Sequence, residues 1–171
     1  LFPYTTLFRS LWAEAGHEVA FGQKVYKKEA PFAVPEKTLQ VVRGKVNIGV
    51  KGDDFDCLFS LLNGGLVSYR YAGKEMIGKI PMPNFWRAPV DNDNGSMAPG
   101  RYAQWKIASM YISHRNGGMF DNVPTTVEET EHSVTITYTY YMPTTPASKC
   151  QVAYTVYGDG TVETKLTYDP V

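Results

Sequence analysis

Apolar and polar residues alternate with a period of two along most of the chain, which is the pattern of half-buried β-strands. Helical spacing is nearly absent. Val46, Ile48 and Val50 fall on one strand face, and Gly52, Asp53 and Asp54 then turn the chain into a strand from Phe55 to Ser60. A second turn signal at Asn63, Gly64 and Gly65 leads into Leu66 to Tyr71, and a third follows at Ala72, Gly73 and Lys74. Farther on, Val134, Ile136, Tyr138 and Tyr140 alternate with Thr135, Thr137 and Thr139, a β-branched and aromatic mixture suited to a pleated surface. Cys150, Val152, Tyr154 and Val156 repeat the pattern. Gly158, Asp159 and Gly160 then make a hairpin into Val162, Thr164, Leu166 and Tyr168. Short strands at this spacing predict an all-β fold, an antiparallel β-sandwich. Residues 102–111 break the rhythm and read equally as a short helix or an extended crossing.

The two ends modify this picture. Residues 1–10 read as the translation of a common sequencing-adapter primer and are set aside from fold reasoning as an artefact. That places the natural start upstream, and with a strand-like run closing on Val171 it predicts a truncated sandwich, a window on a larger protein. Trp12 to Tyr26 reads as a strand with Val19, Phe21 and Val25 on one face, whereas residues 27–38 turn charged and carry Pro31 and Pro35. Residues 11–26 are therefore predicted to be the last strand of a preceding domain, 27–38 a linker, and 39–171 the sandwich segment. A strand cut from its own domain has no layer for its apolar face, so it is expected to be poorly ordered or borrowed by a neighbour.

Charge and composition exclude more than they select. The chain has 171 residues, with 17 Lys and Arg against 17 Asp and Glu, so no electrostatic footprint favours nucleic acid or an anionic membrane. The basic run from Lys24 to Lys28 is broken by Val25 and Tyr26 and reads as a solvated strand end. No apolar stretch approaches the roughly 20 residues that span a bilayer. Cys57 and Cys150 are too few and too far apart for a zinc pattern or a disulfide framework and read as buried thiols. His17, His114 and His132 are scattered singly, whereas a metal site needs converging ligands; none is expected in this chain. Tyr138, Tyr140, Tyr154 and Tyr157 suit either a sugar-stacking platform or strand packing, and packing is the favoured reading.

One run is unlike the rest. Asn84, Phe85, Trp86, Arg87, Ala88, Pro89, Val90, Asp91, Asn92 and Asp93 compress two aromatics, a cation, a proline and two acids into one turn-like segment. It suits the rim of a polar-ligand site and equally a rigid corner that locks strands together. In an extended segment Asp91 and Asp93 share a face, and Arg87 beside them holds both ionised, which favours a structural clamp over a general acid. An EF-hand reading fails, because its fifth position is already Gly95 and its twelfth is Tyr102 rather than glutamate. Gly95, Ser96, Met97, Ala98, Pro99 and Gly100 follow as a loop with glycine at both ends and little to anchor it.

These residues carry a resemblance. Trp12, Ala13, Glu14, Ala15, Gly16, His17, Glu18, Val19 and Ala20 with Gln23 resemble the end of the fourth, immunoglobulin-like domain of large bacterial β-galactosidases of glycoside hydrolase family 2. The stretch from Val46 through Phe59, Gly65, Leu66, Gly73, Lys74 and Glu75, then Asn84 to Asp93 and Gly95, is similar to the opening of their fifth domain. The Arg87, Ala88, Pro89, Asp91, Asn92, Asp93 core carries most of that identification, and beyond Trp105 only the strand pattern agrees. The resemblance implies a galactose-mutarotase-like sandwich and a parent enzyme that hydrolyses terminal β-D-galactosides with retention. Such chemistry needs two carboxyl groups roughly 5 Å apart, and in the family both are glutamates of an upstream (β/α)8 barrel.

The resemblance therefore implies a non-catalytic segment, inactive alone, that braces the active-site rim. Gly95 to Gly100 would border the site as a mobile loop, and Phe85, Trp86, Arg87, Asp91, Asn92 and Asp93 would serve as structural signature. It further implies magnesium and sodium bound elsewhere in the parent, a homo-oligomeric parent, and a bacterial cytoplasmic or periplasmic setting. The competing expectation is a stand-alone carbohydrate-binding module that grips a saccharide through exposed aromatics.

Overall fold

The computed structural model describes residues 2–6, 8–26, 32–114 and 125–168. Parts of the expected linker (27–31) and of the sandwich segment (115–124 and 169–171) lie outside the described residues. The chain forms two compact units, Leu1–Ala33 and Val34–Val171.

In the first unit β1 (Phe2–Thr5) pairs antiparallel with β2 (Glu18–Gly22), matching Phe2 with Gly22 and Pro3 with Phe21. The strand expected over Trp12 to Tyr26 is thus confined to five residues. A turn precedes it: Ala13 N–H donates to Ser10 Oγ at 3.1 Å and Gly16 takes a left-handed φ of 85°. Val19, Phe21 and Val25 all lie exposed.

The second unit holds two antiparallel sheets. One has the order β3 (Gln40–Arg43), β4 (Asn47–Lys51), β5 (Phe55–Ser60), β6 (Gly65–Tyr71), β7 (Lys74–Glu75). The other runs β11 (Val162–Tyr168), β10 (Ser148–Tyr157), β9 (Ser133–Met142), β8 (Thr126–Glu129). The β4–β5, β5–β6, β6–β7 and β10–β11 connections are hairpins at the predicted turn signals, whereas the β3–β4, β8–β9 and β9–β10 hairpins fall at none of them. Alternation sends Ile48 and Val50 of β4 and Phe55, Cys57 and Phe59 of β5 inward, where they meet Val134, Ile136, Tyr138, Tyr140 and Met142 of β9 and Cys150, Val152, Tyr154 and Val156 of β10. Strictly alternating burial over ten residues of β9 is what a sheet with one face on the core requires. Phe59 and Tyr154 pack ring against ring across the layers at 5.6 Å.

Polar contacts tie the sheets together. Tyr140 Oη donates to the Gly64 carbonyl at 3.1 Å, and Tyr69 Oη donates to the Gly160 carbonyl at 2.8 Å. On the β3–β8 flank Arg43 Nε donates to Glu129 Oε1 at 3.0 Å. The β5–β6 turn depends on its glycines: Gly64 and Gly65 have φ of 69° and 116°, and a Cβ on Gly64 would sit 2.5 Å from His114 Cβ.

Four sequence readings are settled or corrected here. Tyr138, Tyr140, Tyr154 and Tyr157 are all buried, so they pack and form no exposed platform. Val46 is not on the inward face: it lies in the turn before β4, 49% exposed, with its carbonyl accepting Leu61 N–H. The strand expected over Val162, Thr164, Leu166 and Tyr168 forms as β11, an edge strand beside β10, with Leu166 47% exposed and Thr164 exposed. Residues 102–111 resolve as a helix, α3 (Ala103–Tyr111), preceded by α1 (Asp91–Gly95) and α2 (Ala98–Arg101). Trp105, Ala108 and Ile112 recur at helical spacing on the face of α3 turned to the core.

Candidate functional site

Residues 76–90 run without regular structure between β7 and α1, and prolines at 81, 83 and 89 remove backbone donors that a strand would need. The segment is held at fixed points instead. Tyr154 Oη donates to the Pro81 carbonyl at 3.3 Å, and Phe85 N–H donates to Ser109 Oγ of α3 at 2.8 Å. The Phe85 ring packs with Trp105 at 6.0 Å and with Tyr168 at 5.5 Å. Asn84 closes around the next two residues, its Oδ1 accepting Trp86 N–H at 3.1 Å and its Nδ2 donating to the Trp86 carbonyl at 2.7 Å. These contacts fix where Trp86 and Arg87 emerge.

What emerges is an open cleft of about 270 Å³, lined by Phe85, Trp86, Arg87, Pro89, Asp93, Ala98, Pro99 and Tyr102. Its polar centre is one ion pair. Arg87 Nη1 donates to Asp93 Oδ2 at 2.6 Å and Nη2 to Oδ1 at 3.0 Å, a two-pronged contact that fixes both planes. Asp93 Oδ2 also accepts Val90 N–H at 2.8 Å, so it satisfies an open donor at the start of α1 while holding the arginine. The Arg87 hydrogen bonds, and secondarily the Val90 N–H, hold the Asp93 carboxyl below the usual carboxylate range; the same pairing raises Arg87. An acid whose folded pKa is depressed stabilises the fold above its ordinary value near 3.9 and loses that contribution as pH falls. A carboxylate kept ionised in this way accepts hydrogen bonds and has no proton to give at neutral pH, which is the behaviour of a clamp.

The geometry departs from the extended reading in two respects. Of the two acids Arg87 engages only Asp93, because residues 91–95 form α1 and helical rotation carries Asp91 to another side. Asp91 and Asn92 do not line the cleft. Residues 95–100 are not an open loop: α1 ends at Gly95, Met97 takes a left-handed φ of 58°, and α2 begins at Ala98 with Pro99 in its first turn. Within that stretch Ala98 and Pro99 reach the cleft, while Ser96 Oγ donates to the Asp93 carbonyl at 3.0 Å.

Two contributors were missed by sequence reading. Tyr102, between α2 and α3, forms a wall of the cleft, and Ser109 of α3 anchors Phe85 through its backbone N–H. Only a helical reading of residues 102–111 would have placed both on one side. Elsewhere the thiols are shut away: burial pushes Cys57 up to about 12 and Cys150 up to about 11. No group of three or more His, Cys, Asp or Glu among the described residues is arranged to hold a metal ion.

Comparison with known proteins gives this architecture its relatives. Residues 51–170 match the family described as β-galactosidase small chain. A β-galactosidase of Clostridium acetobutylicum is 39% identical over 164 residues, covering 95% of this chain and 17% of that protein. One from Halalkalibacterium halodurans is 43% identical over 160 residues, 92% of this chain and 15% of that protein. The β-galactosidase small subunit of Latilactobacillus sakei is 38% identical over 144 residues, 77% of this chain and 45% of the subunit. The chain thus spans less than a fifth of the first two relatives. Because that family match covers residues 51–170, well over half of the sequence, the chain belongs to the β-galactosidase small-chain family.

Proposed function

We propose that this chain is a non-catalytic sandwich segment of a family 2 glycoside hydrolase that cleaves terminal β-D-galactosides with retention, and that it braces the rim of the active site. The observation carrying this reading is the convergence of Phe85, Trp86, Arg87 and Asp93 with Ala98 and Pro99 on one cleft of about 270 Å³. The Arg87–Asp93 clamp sets the wall of that cleft, and the segment from Gly95 to Gly100 borders it through Ala98 and Pro99. Retaining hydrolysis would be performed by two glutamates of the barrel, with any magnesium and sodium held there as well; this chain contributes shape and aromatic surface. The relative named a small subunit supports a further element of the proposal, that the segment is held to the catalytic portion through surface contact. The stand-alone module reading loses ground because the four strand tyrosines it would use are buried.

Gly95→Ala in the longer enzyme tests the reading. A Cβ at Gly95 meets nothing within 4 Å and its φ is not left-handed, so the fold tolerates the change. Alanine also favours helix by about 1 kcal/mol over glycine, which stiffens the end of α1. The expected outcome is a several-fold change in KM or kcat on a chromogenic β-galactoside; unaltered kinetics would sink the proposal.

A further inference from the structure

Helix α3 is apolar on two opposite sides. Its inner side places Ala108 in the core, with Trp105 and Ile112 flanking it. On the other side Ile107, Met110 and Tyr111 follow at spacings of three and four, 50%, 64% and 66% exposed. Single exposed apolar side chains are ordinary on any protein surface, but three in one stripe on a nine-residue helix are not. Lys106 and Gln104 sit at the margins, and Gln104 is already engaged, its Oε1 accepting Thr145 N–H at 3.2 Å. A helix with apolar surface on both sides belongs between two layers, and the described residues of the sandwich supply only one of them.

We infer that the outer stripe of α3 is a docking surface, and that its occupant is the catalytic remainder of the β-galactosidase polypeptide. Two observations select that occupant over others. The chain spans 17% and 15% of two full-length relatives, so the bulk of such an enzyme lies outside this structure and must be packed against it somewhere. The helix also grows directly out of the cleft, since Tyr102 is both its N-cap residue and a cleft wall. A layer laid over Ile107, Met110 and Tyr111 would thereby hold the cleft in register with the catalytic groups. The inference rests on the rim reading given above and adds the surface by which the segment is held.

Methionine itself is the reporter. In the longer enzyme, oxidation by dilute peroxide followed by mass spectrometry compares Met110 with Met76, which is 52% exposed at the far edge of the other sheet. The expected result is at least fivefold slower oxidation of Met110; any smaller ratio overturns the docking surface. Photo-methionine incorporated in place of methionine then identifies the cover. Cross-links from position 110 to peptides of the catalytic portion support the assignment, whereas cross-links confined to this segment or to a second copy of it overturn the assignment. Turnover of a chromogenic galactoside, measured on the same preparation, separates the two ideas. An inactive enzyme refutes the rim reading, and an active one with Met110 open refutes the docking surface alone.

Discussion

Cys57 and Cys150 show how much the layer between the sheets controls individual side chains. Both face inward from central strands, and burial is the leading reason their thiols rise, to about 12 and about 11. A group whose folded pKa lies above its unfolded value stabilises the fold fully below the unfolded value. That contribution then declines as pH climbs through the folded one. Stability against urea is therefore expected to be level from neutrality to about pH 9 and to fall above it, with the buried Tyr140 and Tyr138 phenols acting in the same direction. The thiolate is the reactive form, so a disulfide reagent should titrate neither cysteine in the native chain and both after unfolding. That cysteine burial was legible from sequence follows from strand alternation, which fixes the facing of each residue once one neighbour is known. The pairing of Arg87 with Asp93 alone was not legible, because it depends on five residues adopting a helix that alternation does not signal.

At the level of elements, strands and turns followed their sequence signals closely, since a period of two and a turn residue are local properties. Ten-residue strands β9 and β10 read directly from Val134 to Tyr140 and from Cys150 to Val156. Helices α1 and α2 were hidden: each is five residues or fewer, too short for periodicity to register, and α1 starts on a local cap in which Asp93 accepts the Val90 N–H. The β5–β6 turn offers the sharpest test at this scale. Gly64→Ala forces a left-handed φ on a residue with a Cβ and drives that atom into His114. A loss of about 2 kcal/mol or more is expected from denaturant unfolding, since strained backbone of this kind costs on the order of 1 to 3 kcal/mol before any clash. Gly95→Ala, which meets open space, should cost nothing by the same measurement.

Across the whole molecule, the sandwich covers its apolar side chains unevenly. Its inner layer is continuous, yet apolar surface remains at Leu166 on β11 and along the outer side of α3. The purified chain alone is expected to show no turnover of a chromogenic β-galactoside above buffer background, because the barrel glutamates of the proposed enzyme are not among its residues; measurable hydrolysis would refute that division of labour. Sequence identified the sandwich and the cleft signature but not the stripe on α3, whose meaning appears only once Ala108 and Ile112 are seen to occupy the opposite side. The two lateral flanks of the sandwich, finally, are not chemically equal. An exposed ion pair between Arg43 and Glu129 closes one, and a neutral hydrogen bond from Tyr69 to Gly160 closes the other. Mobile ions weaken only the first kind of contact. Ionic strength should therefore act on this protein directionally: in molar salt, amide hydrogen exchange is expected to quicken in β3 and β8 and stay unchanged in β6, so the two sheets part from one side like a book opening at its fore-edge.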